Sequence, residues 1–229
     1  MFRKSNQLPP APRVATLTTP LWSRAGRGSS SPSTATRPLG DPGRSPAAAA
    51  RHTPPPPDDV AISRLRSLSQ QERGRRLIEA AEQGAAEQLR ELLAAGADVA
   101  ARDEWTSWTA LHLAAGRGHV AAASCLVGAG AEVDARTSLY QSTPLHWAAQ
   151  NGHAGVVRLL VGASADPNAR DFLGRTPLHR AAVGGDAEAA AELLLAGADR
   201  GARDGGGSTP LDVARQNRNQ QLVDMLTQR

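Results

Sequence analysis

Hydrophobic and polar positions divide this chain near residue 72. Downstream, leucines return at long regular intervals: Leu77, Leu111, Leu145 and Leu178 open one series, and Leu92, Leu126, Leu160 and Leu193 a second. The first series heads short alanine-rich stretches such as Leu145–Ala149 and Leu178–Ala182. Alanines on both sides of such a helix let neighbours approach closely. The second series lies in stretches whose apolar residues share one helical face, as Val156, Val157, Leu159 and Leu160 do. Gly118, Gly152 and Gly185 separate the two kinds of stretch, where a left-handed residue reverses the chain. Gly130 and Gly197 stop the second helix. The pattern predicts pairs of short helices. Upstream of residue 72 there is no sustained apolar period.

A motif locks the pairs into register. Thr109-Ala110-Leu111-His112, Thr143-Pro144-Leu145-His146 and Thr176-Pro177-Leu178-His179 are followed by a weaker copy, Thr209-Pro210-Leu211-Asp212. Successive threonines are 34, 33 and 33 residues apart. A proline one residue into a helix costs nothing, since its missing amide would be unpaired anyway. The threonine before it is a good cap for the free amides. Gly130, Ser164 and Gly197, each followed by alanine, recur in the same phase. Leu77, Ala80, Ala81, Gly84, Leu92, Gly96 and Ala97 extend the phase one period upstream. Between second helix and next threonine, Ala101-Arg102-Asp103, Ala169-Arg170-Asp171 and Ala202-Arg203-Asp204 mark a hairpin-like finger.

Together these positions resemble the ankyrin repeat, over roughly residues 72–229. The resemblance implies an all-α solenoid of stacked helix-turn-helix units with hairpin-like fingers. We read a start cap at 72–104, full units at 105–138, 139–171 and 172–204, and a shortened end cap at 205–229. No unit buries its own apolar face, so neighbours must stack. The end cap is expected to be polar outside; Arg215 to Gln220 fit, standing where internal units have the glycine turn. The resemblance also implies that the motif histidine bonds neighbouring backbone and braces the stack.

Composition changes the picture upstream. Twelve of the 16 prolines fall before residue 72, with runs of Ser, Ala and Gly. Such a segment cannot offset its ordering entropy, so residues 1–71 are read as a disordered Pro/Ser/Arg-rich tail, with a fraying helical turn expected over 61–71. The tail carries ten Arg/Lys and three acids, against sixteen and nineteen in 72–229. The net charge of +4 is thus a tail property, and the repeats lack the basic face that nucleic-acid binding needs. Composition before Asp41 resembles a transit peptide, although Pro9, Pro10, Pro12 and Pro20 oppose the helix such peptides form. No stretch has the quality of a signal peptide or membrane span. The single Cys125 excludes an intrachain disulfide, which fits a reducing compartment, cytoplasmic or nuclear.

Candidate chemistry is thin. His112, His119, His146, His153 and His179 are repeat-locked and so serve the unit. Cys125 lies beside Leu126 as a small core side chain. Gly205-Gly206-Gly207 lacks the lysine of a phosphate loop. No catalytic, metal or cofactor residues are expected. The free positions are more telling. The fingers carry Trp105 and Trp108, then Leu139 and Tyr140, then Phe172 and Leu173, with Trp147 close behind a motif. Aromatics dominate binding hot spots; the competing explanation is that they pack on each other. Arg117, Gln150, Asn151, Arg175 and Arg180 would rim them on a concave face. The expected role is a non-enzymatic, monomeric module binding another protein through this face and its fingers, with no membrane or nucleic-acid partner. Alternatives are a two-partner adaptor using tail motifs such as Pro54–Pro57, and a nuclear transcriptional co-regulator.

Overall fold

The structure, a computed structural model, describes residues 59–104 and 106–228. The reading of the tail as disordered concerns residues that lie, up to 58, outside the described ones. Among the described residues eleven helices follow in order: α1 Asp59–Arg66, α2 Gln70–Gln83, α3 Ala86–Ala94, α4 Ala110–Arg117, α5 Val120–Gly128, α6 Pro144–Gln150, α7 Ala154–Gly162, α8 Pro177–Gly184, α9 Ala187–Leu195, α10 Pro210–Gln216 and α11 Gln220–Thr227. Among the described residues the only β-type pairing is one antiparallel bridge, between Arg102 and Thr109.

From α2 onward the helices pair in sequence and stack in two layers. The first helices α2, α4, α6, α8 and α10 each touch the next, and so do the second helices α3, α5, α7, α9 and α11. The leucines of both series are fully buried between the layers: Leu77, Leu111, Leu145 and Leu178 with Leu92, Leu126, Leu160 and Leu193. Alanine pairs such as Ala114–Ala115 and Ala148–Ala149 are buried at the contacts between first helices. Small side chains there bring backbones together. At Gly184 the approach is so close that an added Cβ would lie 2.1 Å from the Gln150 carbonyl oxygen.

Turns follow the pattern with two substitutions. Gly118, Gly152 and Gly185 take φ of 78°, 74° and 84°, and Arg218 fills the same place with φ 58°. Ser164 stands at φ 69° where Gly130 and Gly197 stand at 85°. Both non-glycine residues accept a conformation that crowds Cβ.

The amino-terminal side is more ordered than a fraying turn. Helix α1 buries Ile62 and packs on α3. α2 begins at Gln70, where Ser69 accepts the Glu72 amide at 3.1 Å, and so runs for 14 residues against seven or eight in the other first helices. The apolar period alone did not show α1, because Ile62 is its one buried residue and Leu65 is only partly buried against the core.

Candidate partner-binding face

The histidine motif ties each finger to the helix before it. The Thr109 amide donates to His112 Nδ1 at 3.2 Å, and the Thr109 hydroxyl lies 2.9 Å from the same nitrogen. His112 Nε2 reaches the Ser142 carbonyl at 3.1 Å. A carbonyl only accepts, so Nε2 carries the proton and Nδ1 is the acceptor. His146 repeats this with the Arg175 carbonyl and His179 with the Ser208 carbonyl, each at 3.0 Å. Burial pushes the rings of His112 and His146 down to about 4, and lowers His179 as well. Asp212, in the fourth motif, accepts from the Thr209 amide and hydroxyl but donates nothing onward. The second pair of histidines bridges the helix turns: His119 Nε2 donates to the Glu82 carbonyl and His153 Nε2 to the Gly116 carbonyl, both at 3.0 Å. All five histidines are thus engaged by the stack.

The finger backbones are built by local acceptors. Asp171 Oδ1 takes the amides of Leu173 and Arg175 at 2.9 Å each. Asp204 Oδ1 takes those of Gly206 and Ser208 at 3.0 and 2.9 Å. Thr137 Oγ1 does the same for Ser142 at 3.2 Å. The first two fingers are one residue longer, and place Ser107 and Gln141 at positive φ where the shorter ones use Gly174 and Gly207. Fingers are then stitched together: the Phe172 amide donates to the Tyr140 carbonyl and the Gly205 amide to the Leu173 carbonyl, each at 2.8 Å. Polar backbone groups are satisfied between neighbours, and the tip side chains are left outside.

The aromatic candidates separate into two groups. Trp108 is half-buried with its ring centroid 4.5 Å from that of Trp147, tilted by 46°, and 6.1 Å from His112. Trp147 Nε1 is buried with no acceptor. These two pack internally. Leu139, Tyr140, Phe172 and Leu173 are 68%, 48%, 71% and 45% exposed, on two fingers joined by the Phe172–Tyr140 bond. Trp105 lies outside the described residues.

The polar candidates are mostly engaged. Arg117 pairs with Glu82, and Asn151 Nδ2 donates to the Gly116 carbonyl at 2.8 Å. Arg180 Nε donates to Asp171 Oδ2 at 2.9 Å, and its Nη1 to Gln150 Oε1 at 3.1 Å. The Asp171 side chain is wholly buried, so Arg180 serves as its counter-ion. Arg175 Nε is 3.5 Å from Asp204 Oδ2. Sequence reasoning treated Arg180 and Arg175 as free because their acidic partners sit nine residues before one and in the next finger for the other. The finger arginines Arg102, Arg136, Arg170 and Arg203 recur at spacings of 34, 34 and 33, and three of them mark the finger in the sequence, but the sequence alone assigns them no contact.

Among the described residues no group of three or more His, Cys, Asp or Glu is placed to hold a metal ion. No described helix is long and apolar enough to cross a membrane. Two family models match the chain: ankyrin repeats in three copies over residues 77–171, and ankyrin repeats in many copies over residues 162–214. No curated protein matches it.

Proposed function

Because the chain belongs to the ankyrin-repeat family, whose repeats are generic protein–protein interaction modules, we propose that it binds a partner protein through its second and third finger tips. The observation that carries this reading is the exposed apolar group Leu139, Tyr140, Phe172 and Leu173. Single exposed apolar residues are ordinary, but four on adjoining fingers make a contiguous patch of the kind that marks interaction sites. Tyr140 and Phe172 are the anchors, because flat aromatic side chains lose little entropy on contact. Trp108 and Trp147 form the packed base beneath the face rather than its contact layer. Gln150, Asn151 and Arg117 supply the polar rim along the first helices, and Arg175 and Arg180 shape it while holding Asp204 and Asp171. The role is non-enzymatic, the protein a monomer, and the binding domain is the repeat stack over residues 72–229.

The test uses the full chain as bait beside Tyr140→Ala and Phe172→Ala, and then purified partner in titrations. Each change should weaken binding by more than about 1 kcal/mol with melting unchanged. Undiminished binding, or melting as poor as that of Leu160→Ala, would refute the finger-tip face.

A further inference from the structure

The finger arginines form a ladder. Arg102 Nη1 donates to the Arg136 carbonyl at 2.8 Å, Arg136 Nη1 to the Arg170 carbonyl at 2.7 Å, and Arg170 Nη1 to the Arg203 carbonyl at 2.7 Å. Each guanidinium also holds its own finger, reaching the carbonyls of Ser107, Gln141 and Gly174 at 3.3, 3.3 and 3.2 Å. The backbone carbonyl at this place is therefore an arginine acceptor in three consecutive fingers. The guanidinium always arrives from the finger before.

The first finger has the acceptor without the donor. Among the described residues no finger precedes it, and no arginine donates to the Arg102 carbonyl. Arg75, on that side, has its Nε 3.2 Å from Glu72 instead. One period upstream of this finger stand the first turns of α2, and between them and the finger lies an open cleft of about 650 Å³. Its walls carry Glu72, Asp98, Asp103 and Glu104 against Arg75 and Arg102. The Arg102 guanidinium is turned away, toward Arg136. Gln71 Nε2 holds the Glu104 carboxylate at 2.7 Å, which joins the two walls. Glu72 is paired with both Arg75 and Arg76, so the acidic side offered to a cationic occupant is that of Asp98 and Glu104, and three internal examples specify which cation the backbone here receives.

We propose that this cleft binds an arginine side chain of a partner polypeptide, which docks against the first finger as a preceding finger would. The partner presents a turn or extended segment, whose own carbonyl takes the rest of the guanidinium as Ser107, Gln141 and Gly174 do internally. Lysine fits worse, because a compact ammonium does not span two carbonyls in one plane. The site lies apart from the Tyr140–Phe172 patch and does not depend on it.

The test is an NMR titration of the full chain with a synthetic peptide of residues 166–174, in which Arg170 is the one arginine, and with the same peptide containing citrulline at Arg170. The arginine peptide should shift the amides of Ala101, Arg102, Asp103 and Glu72. Citrulline should weaken binding about tenfold or more, since a charge-assisted bond is lost. Glu104→Gln and Asp98→Asn, both on exposed residues, should each weaken it up to about fivefold. Equal binding of the citrulline peptide overturns the proposal, as do shifts confined to Tyr140 and Phe172. So does no response at all, which includes the case in which another part of the chain fills the cleft. Failure here leaves the finger-tip face untouched, since that face is read on different residues with a different ligand.

Discussion

Lowering the pH from 7 to 5 should destabilise this stack through the histidines that brace it. His112 and His146 are held at about 4 by burial, against 6.5 for the free ring. The protein keeps both rings neutral because each Nδ1 must accept the threonine amide. As pH falls below 6.5 the unfolded chain takes up the protons first. The stabilising contribution is therefore complete above 6.5 and is lost as pH falls toward 4. At pH 5 the loss is about 2 kcal/mol per ring, or about 4 kcal/mol for the two. His179 is lowered by the same cause and adds in the same direction. The lowered carboxylates of Asp204 and Asp212 lose their contribution only at more acid pH, so the window from 6.5 to 5 belongs to the histidines. A total stability of 5–15 kcal/mol is typical, so the effect is large. Urea titrations followed by circular dichroism at several pH values would measure it. His146→Gln should be less stable at pH 7 and should show about half the pH slope. A midpoint unchanged between pH 7 and 5 would refute the reasoning, as would ring ¹⁵N shifts showing His112 or His146 protonated above pH 6.

Three other changes probe the packing. Gly184→Ala should cost about 3 kcal/mol or more in urea melts, because its Cβ would meet the Gln150 carbonyl oxygen at 2.1 Å. Ser164→Gly should raise stability by roughly 1 kcal/mol, since the serine holds φ 69°, a conformation that crowds its Cβ; a lower melting temperature would show that its hydroxyl is engaged. Asp171→Asn should destabilise by about 3 kcal/mol by stranding the Arg180 guanidinium, and a melt within about 0.5 kcal/mol of wild type would show that Gln150 and water suffice.

The helical stack was legible because its causes are local and repeated. A buried leucine, a close-packed alanine pair and a positive-φ glycine each leave a residue at a fixed phase, and the phase survives Ser164 and Arg218. Helix α1 was less legible, since two apolar residues make no period. The fingers were least legible, because what decides them is pairing between units. An arginine every 34 or 33 residues reads as solvated charge until its guanidinium is seen on the next finger's carbonyl. A lone sequence likewise cannot tell Trp108 from Phe172. Both are finger aromatics, yet one lies over Trp147 and the other stands in solvent. The difference follows from position in the finger: Trp108 directly precedes its motif threonine and reaches Trp147 in the neighbouring first helix. Phe172 sits four residues before its own, at a tip whose backbone is already bonded to Tyr140. Position relative to the motif, rather than residue type, sorts the aromatics into base and contact layer. By the same rule Leu139 and Tyr140, four and three residues before Thr143, belong with Phe172, and Arg175, directly before Thr176, belongs with Trp108.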